Sequence, residues 1–302
     1  MGSSIKEVIL KTLLYSDIFN YPLTKDEVWS FLISEKKLEK EKVFNFLNSK
    51  TSVLVNKNNY FVIKGREELI GKRKERENYS VKKINLAKKI IKKLSKIPTV
   101  DFIGISGALA MKNSDKHDDI DLFVIAAKKT VWITRLIMII YLKILNVYRT
   151  KNDKNPSDKV CLNMLIDETV LSFSKKRRDL YSAHEIFQIM PIFSRNKTYE
   201  KFILSNQWTE AFLPNVFEEK KNAQFVSDDL SSKSLIKFLI NSLGLEYLAR
   251  NIQFAYMKKN ITKETVSRNF LAFHPYDYKK FVMKEYKKRL MKFDIVINTR
   301  GY

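Results

Sequence analysis

The stretch Phe102-Ile-Gly-Ile-Ser-Gly-Ala-Leu-Ala110, followed shortly by Asp118-Asp-Ile-Asp-Leu-Phe-Val-Ile125, decides how this chain is read. An apolar run ends at Gly107, a short polar segment follows, and Asp119 and Asp121 open a second apolar run. Side chains at i and i+2 of a strand share a face. Two carboxylates on one face, beside a glycine-bearing turn, suit a hard divalent cation together with a polyphosphate. That pattern points toward phosphoryl or nucleotidyl transfer.

Working outward, Gly65–Lys93 is expected to be a charged helical connector running into Val81–Lys96, and Pro98 ends that helix. The expected order is then a strand (Thr99–Ile105), a short helix from Gly107 to about Asn113, a strand (Asp119–Ala126), a helix (Thr130–Val147), a loop with Pro156, and a strand (Lys159–Ile166). With the preceding helix this makes an αβαβαβ unit. Upstream, Ile5–Phe19 has helical spacing of apolar residues, and Thr24 with Glu27 forms a capping box opening a helix through Ile33. Glu39–Asn48 is a third helix. Val53–Val55 and Tyr60–Ile63 flank an asparagine-rich turn as a hairpin. Three helices and a hairpin resemble a winged helix-turn-helix. Beyond Asp167 the chain is expected to be all helical, over Lys175–Met190, Thr198–Phe212, Ser232–Asn260, Thr262–Ala272 and Pro275–Phe293. The expected fold class is α+β in three parts: residues 1–72 winged-helix-like, 73–170 the α/β core, and 171–302 a helical domain.

The segment from Gly104 to Ile125 resembles the signature of the nucleotidyltransferase superfamily that includes DNA polymerase beta: a Gly-Ser turn, a short helix, then Asp-x-Asp on the next strand. The resemblance covers roughly residues 81–167, and the αβαβαβ order matches that superfamily's minimal core. The whole chain also looks like bacterial nucleotidyltransferase-domain proteins with a winged-helix-like N-terminal segment. The resemblance implies a polymerase-beta-like nucleotidyltransferase core. It implies that Asp119 and Asp121 hold Mg²⁺ (or Mn²⁺), with an NTP as substrate and a hydroxyl as acceptor. It also places Gly107 and Ala108 in the Gly-Ser turn, where Gly lets the backbone approach phosphates.

Two departures stand out. Ala108 replaces the usual Ser, and the nearest hydroxyl is Ser106, one residue before the Gly. On the later strand, Asn163 falls where the family has a third carboxylate, offering a carbonyl oxygen but no charge and no general base. Asp167, at i+4 and so expected on the same face, ranks behind Asn163 for that place. Cys161 is expected to be an inert core thiol. His117 is expected in a solvated loop and Asp118 to face away from the pair. His184-Glu185 is a candidate acceptor-side acid/base pair. Trp208 and Phe273 are expected to serve packing.

The bulk numbers bound the rest. The chain has 302 residues, 45% of them hydrophobic, which supports a packed core and argues against wholesale disorder. With 7 Gly and 6 Pro, long helices are favoured over a turn-rich β architecture. A single Cys excludes an internal disulfide framework and points to a reducing, cytoplasmic compartment, and no Cys/His spacing fits a structural zinc site. The N-terminus matches neither a signal peptide nor a myristoylation motif. Val131–Tyr148 carries Arg135 and Lys143, so a buried amphipathic helix is expected there and no membrane partner. Net charge is +23, clustered at Lys64–Lys93 and Tyr278–Tyr302, which keeps nucleic acid or another polyanion open as a partner. The acceptor classes compatible with this reading are a small molecule such as an aminoglycoside, a protein side chain, or an RNA end. A rival reading is a non-catalytic nucleic-acid-binding or regulatory protein on a degenerate transferase fold. A second is an interaction module of a toxin–antitoxin pair.

Overall fold

The computed structural model describes residues 4–49, 51–150, 153–223, 225, 244–258, 265–273 and 276–295. The fold is mixed α+β. The first unit runs α1 (Ile5–Asp17), β1 (Leu23–Thr24), α2 (Lys25–Ser30), α3 (Lys40–Asn48), β2 (Leu54–Lys57) and β3 (Tyr60–Ile63), with strand order β1-β3-β2, all antiparallel. The Thr24/Glu27 capping box forms: the Thr24 hydroxyl accepts from Glu27 N–H and the Glu27 carboxylate accepts from Thr24 N–H. Asn58 and Asn59 both take positive φ, the left-handed turn that asparagine tolerates and the hairpin needs.

A single helix, α4 (Leu69–Leu94), then carries the chain to the central sheet. It joins the charged connector and the Val81–Lys96 segment into one unbroken helix, as the sequence implied. The core follows as β4 (Val100–Ile105), α5 (Gly107–Ala110), β5 (Ile120–Ala126), α6 (Val131–Ile144) and β6 (Val160–Asp167), within a residue or two of expectation except at the helix ends.

Beyond β6 the all-helical expectation is corrected. A 3₁₀ turn (Lys175–Arg177) and α7 (Leu180–Gln188) replace one long helix, and β7 (Met190–Ser194) pairs antiparallel with β4. The Asp179 side chain caps α7. α8 (Thr198–Ser205) stops at Asn206, whose buried amide bonds Phe173 N–H, Leu171 O and Phe202 O, and a 3₁₀ turn (Gln207–Ala211) leads into α9 (Pro214–Asn222). Of the expected Ser232–Asn260 helix, α10 (Leu245–Lys258) is described and residues 226–243 lie outside the described residues. The described part of Thr262–Ala272 is a hairpin: β8 (Thr265–Val266) and β9 (Phe270–Ala272), turned at Ser267, whose hydroxyl accepts from Phe270 N–H. Once β9 can pair with β6, strand bonds replace the helical ones. α11 (Tyr276–Lys292) closes the described chain; Pro275 lies outside it.

The six-stranded sheet has order β7-β4-β5-β6-β9-β8, with β5 and β6 parallel and every other pair antiparallel. One face (Ile103, Ile105, Leu122, Val124, Leu162) packs with Ile84, Ile90 and Ile91 of α4 and with Trp132, Met138 and Leu142 of α6. The other (Phe102, Phe123, Ile125, Ile166) packs with Ile186 and Phe187 of α7, Phe202 of α8 and Phe217 of α9. Both faces are covered, so β4 and β5 read as near-continuous apolar runs.

The N-terminal unit shares this core. On α1, Val8, Ile9 and Leu13 enter the unit's own cluster, while Leu10, Leu14 and Tyr15 enter the central one. Asp17 binds Arg66 at 2.9 Å and Arg289 of α11 at 3.2 Å, and the Tyr21 hydroxyl donates to Met111 O, just past α5. Among the described residues no helix is long and apolar enough to cross a membrane, and α6 is packed on the sheet as expected.

Candidate active site

The polar residues collect at one end of the sheet, where β4 leaves and β5 enters. Gly107 takes φ +63°, a conformation that side chains disfavour. A Cβ there would lie 2.9 Å from Asp121 Oδ2, so the absent side chain makes room for that carboxylate. Ser106 N–H donates to Asp121 O at 2.9 Å, locking the turn to the start of β5. Alternation along β5 puts Asp119 and Asp121 on the Phe123 face, as the sequence implied.

The neighbour on β6 is Cys161. It stands in register with Asp121 across the parallel pair, and ligand atoms of Asp119, Asp121 and Cys161 all lie within 4.8 Å of one another. The expected core thiol is therefore half-buried at the carboxylate cluster. Asn163 is the extra residue of a bulge: Leu122 opposes Leu162, Phe123 opposes Met164, and Asn163 falls between. It is buried, and its Nδ2 has no hydrogen-bond partner. The bulge reverses the alternation that placed Asp167 on the same face. Asp167 pairs with Ala126 at the far end of the sheet and accepts from Lys129 N–H and Thr169 N–H, so it is a loop anchor and no part of this site.

Arg149 completes the cluster. Its Nη1 lies 2.8 Å from Asp119 Oδ2, and its side chain also hydrogen-bonds Cys161. Burial pushes the Asp119 carboxyl above the usual carboxylate range, and the Arg149 guanidinium opposes that rise. Burial drives the Cys161 thiol well up, with the charges of Asp121 and Asp119 adding to it, so the thiol stays protonated and brings no charge. The sequence held no marker for Arg149. It follows α6 and reaches β6 through its backbone, with its N–H on Val160 O at 3.0 Å.

Beside the pair, Ser106, Phe123, Met164, Phe173, Glu185, Ile186 and Ile189 line a narrow cavity. Burial moves the Glu185 carboxyl up to about 7, against a lowering hydrogen bond with Tyr181. The Ser106 hydroxyl is buried without a partner, and Ala108 is exposed. His184 is separated from its sequence neighbour. It stacks on Tyr15 at 4.0 Å and its Nδ1 lies 3.0 Å from Leu180 O, so it belongs to the joint between α7 and α1. His117 is exposed, and the Asp118 carboxylate turns back to Asp115 N–H. Trp208 donates to Asn206, and Phe273 lies under Arg135, both packing roles.

Compared with family models, with curated proteins and with solved structures, the chain gives no match.

Proposed function

We propose that the chain is a metal-dependent nucleotidyltransferase that moves an NMP from an NTP to a hydroxyl acceptor and releases pyrophosphate. The observation that carries this reading is Asp121 seated against the bare Cα of Gly107, with Asp119 beside it on the same strand face. The donor set fits Mg²⁺ or Mn²⁺. Such ions are held by one or two carboxylates, with water and substrate phosphates completing the sphere, and the cradle that a Cβ would fill leaves Asp121 free of steric crowding. When bound, the metal would neutralise phosphate charge and polarise the reacting oxygens. Asp119 and Asp121 would hold that ion, and the chemistry it would supply is in-line attack of a hydroxyl on the α-phosphorus with release of pyrophosphate. Cys161 contributes a neutral thiol where a third carboxylate would supply a base. Glu185, across the cavity from Ser106, is the nearby carboxyl whose raised value suits proton uptake near neutral pH.

The α1-β1-α2-α3-β2-β3 order with strand order β1-β3-β2 supports the winged-helix reading of the N-terminal unit. Within that unit the cations of α3 are engaged, Lys40 with Asp26 and Lys42 with Glu39, which favours a docking role over DNA recognition.

Two observations favour a regulatory reading on a degenerate fold: the thiol at the third position and a guanidinium already on Asp119. Pyrophosphate release and label transfer from each of the four α-labelled NTPs, with Mg²⁺ or Mn²⁺, decide between them. Transfer that disappears in Asp119→Ala/Asp121→Ala is the expected result. Metal-dependent NTP binding without turnover supports the regulatory reading, and NTP binding indifferent to the double substitution overturns the site itself.

A further inference from the structure

Three observations converge on Arg149. Its guanidinium is bonded to two of the three groups that could hold a cation, Asp119 and Cys161, and it feels the charge of Asp121. A cation bound by those groups would sit a little over 2 Å from each ligand atom, ~2.0–2.6 Å for hard divalent ions. The guanidinium, 2.8 Å from Asp119 Oδ2, borders the same space, and two positive charges there repel. The hold is also loose. The pair is not enclosed, and the Arg149 side chain is 42% exposed. Its backbone is fixed, by the Tyr148–Val160 bridge and the N–H bond to Val160, so the head can swing while its base stays.

We propose that Arg149 is the residue that couples cation binding to nucleotide binding. It keeps Asp119 neutralised until the phosphates of a nucleoside triphosphate draw its guanidinium away, and the vacated carboxylate then takes the divalent ion. The inference rests on the two-aspartate reading above. A planar guanidinium with five donors matches phosphate oxygens in a fork, so a triphosphate offers it a stronger partner than one partly wet carboxylate. Cation and nucleotide then bind cooperatively, and by linkage each raises the other's affinity by the same factor. Nucleoside or monophosphate, with fewer oxygens to offer, leaves the guanidinium on Asp119.

The test is calorimetric titration of the full chain with Mn²⁺, alone and with a non-hydrolysable α,β-methylene triphosphate, on wild type, Arg149→Gln, Arg149→Lys and Asp121→Asn, with circular dichroism to establish folding. The expected result is weak Mn²⁺ binding by wild type, strengthened about tenfold or more by the nucleotide. Arg149→Gln is expected to bind Mn²⁺ alone about tenfold more tightly and to lose most of the nucleotide's increment. Arg149→Lys keeps the charge and loses the fork, so it retains weak Mn²⁺ binding with a reduced increment. If Asp121→Asn abolishes Mn²⁺ binding while Arg149→Gln leaves both the affinity and the increment of wild type, the proposal for Arg149 fails and the two-aspartate site stands. If Asp121→Asn binds Mn²⁺ as wild type does, or no variant binds it, both fall together.

Discussion

Two carboxylate–guanidinium pairs mark opposite ends of the central sheet. At the far end Asp101 and Arg195 are both 1% exposed, 3.6 Å apart. Arg195 also donates to Pro98 O, Val100 O and Ser95 O, and its own N–H reaches Asp101 O at 2.7 Å. At the near end Asp119 and Arg149 are 15% and 42% exposed, closer together at 2.8 Å yet with fewer bonds around them. Distance alone would rank the second pair as the stronger. Enclosure reverses the ranking: a guanidinium committed to three carbonyls cannot leave, whereas one held by a partly hydrated charge can be exchanged. A pair built for architecture is enclosed and tied to the backbone around it, and a pair at a site keeps a group in reserve.

The sharpest way to break this comparison is to remove the cation from each pair. Arg195→Met leaves Asp101 buried beside orphaned carbonyls and is expected to cost about 3–5 kcal/mol, read as a fall in the urea midpoint. The double variant Asp101→Leu/Arg195→Met is expected to recover part of that loss, because an apolar pair leaves no buried charge. A mild effect of Arg195→Met alone would erase the distinction between the two ends.

The neighbours His184 and Glu185 test the same contrast within one helix, with opposite signs. Burial lowers His184 from 6.5 to about 4, so the unfolded chain takes up a proton first and stability falls as pH drops from 6.5 toward 4. Burial raises Glu185 from 4.5 to about 7, so the folded chain keeps a proton the unfolded chain has lost, and stability falls as pH rises from 4.5 toward 7. Each is expected to contribute up to about 3 kcal/mol, and between pH 4.5 and 6.5 the two slopes oppose one another. Glu185→Gln is therefore expected to expose a rise in stability from pH 4 to 6.5 that holds above it. His184→Phe, which keeps a ring against Tyr15, should expose the fall alone. A flat profile in either variant counts against the assigned environments.

Gly107→Ala follows. The positive φ is expected to cost about 1 kcal/mol, and the new Cβ must displace the Asp121 carboxylate, so Mn²⁺ binding should fall more than stability does. Arg149→Gln is the smallest in stability, under about 1 kcal/mol, as for other exposed pairs. A drop comparable to that of Arg195→Met would make the near pair structural too.

Much of the core was legible because its signals are local. Alternation placed Asp119 and Asp121 on one face, a capping box fixed the start of α2, and Pro98 closed the run-up to β4. The misreadings share one cause. Met190–Ser194 and Phe270–Ala272 are short apolar runs that would suit a helix or a strand, and only an open edge on β4 and on β6 chose strand for them. Asp167 was misplaced by the bulge at Asn163, which shifts every later side chain to the opposite face and leaves no mark in composition.

By itself, then, the sequence determined the α+β class, the paired aspartates and the glycine beside them, since periodicity and backbone freedom are properties of neighbouring residues. The tertiary structure alone decided that Cys161 faces Asp121, that Asp167 lies at the other end of the sheet, and that Arg149 reaches Asp119. Those placements depend on register between strands distant in the chain, and register is settled by packing both faces of the sheet at once.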